Sequence, residues 1–117
     1  MGSLASATRV KYEILRTVAF GSVLTSYIPI GTPFLNPVRI LKVTNLTNQP
    51  LFISTDGINN HDVVAANAAY VYDFGSNKSD SGGLLEESQN DQLYVKPVNT
   101  LPTSGSIYVT VIYASQV

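Results

Sequence analysis

Apolar and polar residues alternate with a period of two along much of the chain, and no helical 3.6-residue pattern lasts for three turns. Short runs rich in Val, Ile, Thr, Tyr and Phe are separated by turn-forming residues every 8 to 12 positions. This combination is typical of half-buried antiparallel strands. The sequence therefore predicts an all-β protein, an antiparallel β-sandwich of about eight strands with a jelly-roll-like arrangement.

The first apolar segment, residues 8–20, favours β-structure, although a helix over 9–16 is an alternative. Gly21 interrupts the pattern before the next segment, residues 22–30. Pro29 has no N–H to donate to a central ladder, so this segment is expected to end a strand or to lie at a sheet edge.

The clearest unit of the chain is a strand pair, with one strand over 38–44, a turn over 45–50 and a returning strand over 51–55. Asn and Pro suit that turn, because Asn tolerates left-handed backbone angles and Pro pre-sets φ. A second reversal follows at 56–62, and residues 63–74 supply one or two further strands.

The last strand, residues 106–114, has the most regular alternation. One face is expected to carry Ile107, Val109, Val111 and Tyr113, and the other Tyr108, Thr110 and Ile112. Both faces are substantially apolar, which predicts a central strand or an outer face that contacts a partner. Before it, residues 91–97 are predicted as a strand, 75–83 as a flexible loop, and 84–89 as a short strand or one helical turn.

Composition adds a preference for protein contacts. Only 13% of the residues are charged, against about 25% in an ordinary soluble domain. Ser, Thr and Asn supply 31 residues in their place. A charge-poor surface suggests that much of it meets other protein. The alternative is a secreted or adhesive β-domain with a neutral polar surface.

Charge is also unevenly distributed along the chain. Residues 1–55 contain five basic residues and one acidic residue, whereas residues 56–91 contain seven acidic residues and one basic residue. If the fold separates these halves, two copies could meet basic face to acidic face. If the fold interleaves them, the asymmetry disappears.

The length of 117 residues indicates one domain, and we expect an N-terminal arm over 1–8 followed by a single β-sandwich domain over 9–117. The chain has no cysteine, no apolar run long enough to span a bilayer and no signal-peptide pattern at its start. We therefore expect synthesis in a cytoplasm and no membrane contact.

The most suggestive polar stretch is STDGINNHD, residues 54–62, which contains the one histidine of the chain. Ser54, Asp56, Asn59, Asn60, His61 and Asp62 could be groups of an active site or of a calcium site. No Gly-x-Ser-x-Gly elbow accompanies them, and their order differs from that of an EF-hand loop. A polar turn between strands is the expectation, with neither catalysis nor metal binding.

Other chemistry has weaker signals. Glu86 and Glu87 are adjacent, so on a strand they would face opposite ways rather than form a glycosidase pair. A pI of 5.6 and the few basic residues Arg9, Lys11 and Arg16 argue against nucleic-acid binding. The tyrosines Tyr70, Tyr72, Tyr108 and Tyr113 lie within strand patterns, which favours core or interface packing over sugar binding. The glycosylation sequons at Asn45 and Asn77 are interpreted as turn residues. We expect no catalytic, cofactor-binding or metal-binding residues and no cofactor.

Residues 36–77 (NPVRILKVTNLTNQPLFISTDGINNHDVVAANAAYVYDFGSN) together with 104–114 (SGSIYVTVIYA) resemble small all-β virion proteins of tailed bacteriophages. The similarity lies in a strand pair that ends in Ser-x-Asp-Gly, a polar loop and then an apolar strand. The resemblance implies a jelly-roll-like auxiliary protein of the head, a decoration or cement subunit that bridges capsomers.

The expected function is accordingly that of a non-enzymatic structural protein of the virion. Its expected partners are other copies of itself, as a homo-oligomer, and the major capsid protein. The alternative is a carbohydrate- or receptor-binding β-sandwich module of a phage tail or fibre.

Overall fold

A computed structural model of the protein describes residues 8–74 and 91–116. Nine strands are present in this part of the chain: β1 (Thr8–Tyr12), β2 (Arg16–Ala19), β3 (Ile28–Pro29), β4 (Ile40–Asn45), β5 (Leu51–Ser54), β6 (Asp62–Val64), β7 (Ala68–Asp73), β8 (Tyr94–Pro97) and β9 (Ser106–Gln116). Within the same residues, the single helical element is a 3₁₀ turn, Phe20–Ser22. The prediction of an all-β chain is confirmed, and the possible helix over 9–16 is absent.

The strands form two antiparallel sheets. The first sheet has the order β1–β9–β4–β7, and β2 also pairs with β9. The second sheet has the order β3–β8–β5–β6. Since β1 and β2 pair with successive parts of β9, they act as one interrupted strand. When β1 and β2 are counted as one strand, the sandwich has eight strands, and their order in the two sheets is that of a jelly roll. This agrees with the predicted sandwich.

The core lies between the two sheets. On β9, Ile107, Val109 and Val111 are fully buried, because they occupy the inward positions of a strand paired on both sides. Leu51 and Val95 meet them from the second sheet, and both are fully buried. The prediction that β9 is a central strand is therefore confirmed.

The predicted strand pair over 38–55 needs correction. Both strands exist, as β4 and β5, but they do not pair with each other. β4 lies between β9 and β7 in the first sheet, whereas β5 lies between β8 and β6 in the second. The connection over 46–50 is therefore a crossing between sheets. The second reversal is a true hairpin, since Ile53 on β5 pairs with Asp62 on β6.

Two other expectations concern a proline and a glycine that interrupt the strand pattern. Pro29 lies on β3, an edge strand of the second sheet, as its missing N–H predicts. Gly21 lies in the 3₁₀ turn that separates β2 from β3. The predicted loop at 75–83 and the ambiguous segment at 84–89 lie outside the described residues. So does most of the predicted arm over 1–8, while Thr8 already pairs with Gln116.

A bulge between β1 and β2 is fixed by a buried ion pair. Arg16 Nη2 lies 2.8 Å from Glu13 Oε1, and both side chains are almost completely buried. Glu13 also accepts hydrogen bonds from the Leu35 N–H and the Asn36 side chain. Arg16 donates to the Thr32 and Pro33 carbonyl oxygens. The pair therefore joins the break in the first sheet to the β3–β4 connection.

Burial of the Glu13 carboxyl would by itself raise its pKa. The hydrogen bonds from Asn36, Arg16 and Leu35 outweigh that effect, so the pKa of Glu13 lies below its usual value. Arg16 also stacks over the Phe34 ring at 5.3 Å.

Candidate functional site

The STDGINNHD segment folds into a closed turn between β5 and β6. Ser54 Oγ accepts the Gly57 N–H and donates to Asp56 Oδ1. Asp56 Oδ1 in turn accepts the N–H groups of Ile58 and Asn59. Ser54 and Asp56 thus satisfy backbone groups of the same turn, as Asp and Ser do in Asx and related turns. The Asn59 amide donates to Asp56 Oδ2, and Asn60 Oδ1 accepts the Tyr27 hydroxyl.

The electrostatics of the turn agree with this role. Hydrogen bonds from the Asn59 and Ile58 N–H groups hold the pKa of the Asp56 carboxyl well below its usual range. His61 Nδ1 accepts the Thr55 N–H at 3.0 Å, while His61 Nε2 lies 3.8 Å from Asp56 Oδ2. The imidazole therefore helps to close the turn by accepting a backbone hydrogen bond.

Asp62 and the aromatic residues also have structural partners. The Tyr72 hydroxyl donates to Asp62 Oδ2, and burial together with this contact raises the pKa of Tyr72. Tyr72 packs against the core, whereas Tyr108 lies on the outer face of the first sheet. Among the described residues, no group of three His, Asp or Glu side chains is placed to hold a metal ion. Glu86, Glu87 and the second sequon at Asn77 lie outside the described residues.

The first sequon forms a buried hub. Asn45 and Thr47 are fully buried, and Asn45 Oδ1 accepts both the N–H and the hydroxyl of Thr47. Asn45 Nδ2 lies within hydrogen-bonding distance of the carbonyl oxygens of Gln49, Val64 and Ala65. One amide thus connects the β4–β5 and β6–β7 connections. An Asn in this position is not an acceptor for a glycan in the folded protein.

The hub lies at one end of the sandwich, which we name the loop end. It consists of the four connections 20–26, 46–50, 65–67 and 98–105. They meet because Ala19 pairs with Ser106, Asn45 with Ile107 and Ala68, and Leu51 with Val64 and Pro97. Tyr27 is not included, because its hydroxyl donates to Asn60 in the β5–β6 turn. None of the 23 residues is Asp, Glu, Lys, Arg or His. Exposed apolar side chains lie here instead, namely Phe20, Leu24, Leu46, Val98 and Leu101.

The second surface of interest is the outer face of the first sheet. Its residues alternate with the buried core positions and comprise Val10, Tyr12, Thr17, Ala19, Ile40, Lys42, Thr44, Ala69, Val71, Asp73, Tyr108, Thr110, Ile112 and Ala114. Lys42 is its one cation and Asp73 its one anion. Tyr12 is 70% exposed and Val71 is 62% exposed. We name this surface the outer face.

The outer face continues at its edge into another apolar group. Ile14 and Leu15 lie in the bulge between β1 and β2, and both are exposed. The bulge stays beside β9, because the Glu13 N–H donates to the Val111 carbonyl oxygen of that strand. Leu35, whose N–H contacts Glu13, is also exposed. The buried ion pair therefore fixes apolar side chains at the edge of an apolar face.

The turn at 54–62 attracts attention through its residue types, yet its polar side chains bond to one another, to its backbone and to Tyr27 and Tyr72. The loop end was not identified from the sequence, because its four connections are far apart in the sequence and meet only through the strand order. Their common lack of charge was the available signal.

Comparison with known proteins gave no relationship: neither a scan against protein-family models nor a search of curated proteins matched this chain. In the part of the chain described, no helix has the length and apolar character needed to cross a membrane.

Proposed function

We propose that the protein is a non-enzymatic structural subunit of a virion, of the decoration or cement type that stabilises a phage head. It acts through contacts with other copies of itself and with the major capsid protein. It is made in the host cytoplasm and works in the particle.

The observation that carries the proposal is the outer face. Its exposed positions are mostly apolar or hydroxyl-bearing, with one charge of each sign. Four strands spaced ~4.8 Å apart, with nine residues of β9 rising ~3.3 Å each, give a flat area of roughly 500 Å². This area includes the polar side chains of the face, so its apolar part is comparable in size with the largest apolar patch of a typical soluble monomer, which is often a functional surface. A neutral face also loses little hydration free energy when it is covered.

The polar turn supports the same proposal in another way. Asp56 and His61 use their hydrogen bonds to close the β5–β6 connection. Removing either group should therefore affect the local turn rather than an activity. We expect His61→Ala and Asp56→Asn proteins to join particles as the wild type does.

Quantitative mass spectrometry of purified virions tests the proposal. A head decoration subunit is present in hundreds of copies per particle, because it follows the repeats of the shell. A copy number of a dozen or fewer would indicate a connector or tail component instead. Absence from purified virions would reject a virion role altogether.

A second candidate, glycan binding by a tail or fibre module, is favoured by one observation on the second sheet. The Lys96 ammonium lies 4.8 Å from the centre of the Tyr27 ring and 6.0 Å from that of Phe52. The two half-buried rings thus form an aromatic surface next to a hydrogen-bond donor, and a sugar would have to stack on ring surface that Lys96 does not cover. If this candidate is correct, isolated protein binds a glycan on an array and Phe52→Ala abolishes that binding. Head decoration predicts no glycan signal and normal particle occupancy for Phe52→Ala.

A further inference from the structure

We propose that the loop end is a rigid docking surface for an uncharged, apolar patch that is repeated on the shell protein. The proposal depends on the proposed function for the identity of the partner. The nature of the contact, neutral and preorganised, follows from the loop end itself.

The first step is the absence of charge. At the charged fraction of this chain, 13%, the 23 residues would contain about three charged side chains. The loop end has none, whereas the described connections at the opposite end carry Arg39, Asp56, His61 and Asp91. The loop end is therefore uncharged, whereas the described connections at the opposite end carry charged side chains. A charged partner would lose hydration at the loop end without gaining a counter-charge, so the surface selects a neutral one.

The second step is rigidity. Asn45 bonds to the carbonyl oxygens of Gln49 and Ala65, which lie in two separate connections, from a fully buried position. Asn48 and Thr103 are joined by two hydrogen bonds, from Asn48 Nδ2 to Thr103 Oγ1 and from the Thr103 N–H to Asn48 Oδ1. Phe20 N–H donates to the Gly105 carbonyl oxygen, which ties the β2–β3 connection to the β8–β9 connection. All four connections are thus held together before any partner arrives.

The third step concerns the apolar side chains that the loop end exposes. Phe20, Leu24, Leu46 and Leu101 are between 40% and 56% exposed. Apolar side chains on a fixed backbone lose less conformational entropy on binding than those on mobile loops. Such residues are the usual anchors of protein interfaces, surrounded here by hydroxyl and amide groups that can bond to a neutral polar rim.

The size of the loop end argues for a repeated partner. Two sheets ~10 Å apart and four strands ~4.8 Å apart, with side chains included, give a footprint of roughly 400 Å². A stable isolated pair usually needs about 800 Å² per partner. An end-to-end dimer of this chain would therefore be weak. Within an oligomer that meets a periodic shell, several loop ends bind together and the contacts multiply.

Charge-introducing variants with a matched control test this surface. Leu101→Lys and Thr100→Lys place a cation on the loop end, and Ile58→Lys places the same cation on the opposite end, where Ile58 is 78% exposed. Each purified full-length variant is checked by circular dichroism and then mixed with purified phage particles that lack this protein. Co-sedimentation measures the number bound per particle.

We expect Leu101→Lys and Thr100→Lys to bind at least about tenfold more weakly than wild type, and Ile58→Lys to bind as wild type does. Wild-type binding should change little between about 50 and 500 mM NaCl, because no charged pairs are screened at this contact. Thr100→Lys keeps the test decisive if Leu101→Lys does not fold.

Two results overturn the proposal and differ in meaning. If wild type binds particles and the loop-end variants bind equally well, the docking surface lies elsewhere and the virion role stands. If wild type does not bind particles and is absent from virions, both the docking surface and the proposed function are rejected.

Discussion

Asn45 shows how much of this fold can depend on one amide. Its side chain is fully buried and joins the β4–β5 connection, at Gln49, to the β6–β7 connection, at Ala65. We expect Asn45→Ala to lower the free energy of unfolding by roughly 2–4 kcal/mol, because buried carbonyl oxygens and the Thr47 hydroxyl lose their partner. Asn48→Ala, at an exposed position, should lose less than about 1 kcal/mol. Urea unfolding followed by circular dichroism measures both. Equal losses would contradict the role of Asn45 as the hub.

The Glu13–Arg16 pair makes a second prediction at the residue scale, about pH. The pKa of Glu13 is lower in the folded protein than its ordinary value of 4.5. The carboxylate therefore stabilises the fold above pH 4.5, and this contribution is lost as the pH falls through the lower, folded-state pKa. Glu13→Gln should cost roughly 2 kcal/mol at pH 7 and flatten the loss of stability below pH 4.5.

Urea titrations of both proteins at pH 7, 4.5 and 3 measure this effect. Part of the acid dependence should remain in Glu13→Gln, because the pKa of Asp56 is also lowered. If the difference in unfolding free energy between the two proteins is the same at all three pH values, the ion pair does not have the proposed effect.

At the scale of the element, individual strands were predictable and their partners were not. The edge position of Pro29 and the central position of β9 follow from local chemistry, namely a missing N–H and two apolar faces. The pairing of β4 with β5 was wrong, because a turn sequence rich in Asn and Pro suits a hairpin and a crossing between sheets equally well. The choice between them is made by distant partners, β9 for one strand and β8 for the other.

A substitution at Gly105 tests how closely the β8–β9 connection packs against the β4–β5 connection. The φ of Gly105 is +89°, and a Cβ at this position would overlap the Leu46 carbonyl group of the β4–β5 connection. Gly105→Ala should therefore destabilise the protein by about 2 kcal/mol or more. Gly21→Ala is the matched control, since a Cβ at Gly21 has no atom within 4 Å and should change stability by less than about 0.5 kcal/mol. Thermal unfolding compares the two, and similar melting temperatures would argue against close packing at Gly105.

At the scale of the whole molecule, the fold mixes the charge polarity of the sequence only in part. Among the described strands, the first sheet carries Arg9, Lys11, Arg16 and Lys42 against Asp73, and the second carries Lys96 against Asp62. The jelly-roll order interleaves the basic and acidic parts of the chain, so β4, which carries Lys42, lies beside β7, which carries Asp73. The described strands of the second sheet have one charge of each sign, so they do not offer an acidic face for the first sheet to meet. What the order of strands does assemble is the apolar outer face, from segments that are more than 90 residues apart.

Self-association through the outer face is the prediction at this scale. Two copies related by a two-fold axis would bury the same face twice, so one unfavourable substitution acts twice. We expect wild type to exceed the 12.6 kDa of a single chain in sedimentation equilibrium, and Val71→Glu to return to that mass. Val71 is exposed on β7, so the substitution should leave the fold intact. Ile58→Glu adds the same charge in the polar turn and should keep the wild-type mass. If Val71→Glu and Ile58→Glu have equal masses, the outer face does not join copies, and it remains free to contact the shell directly.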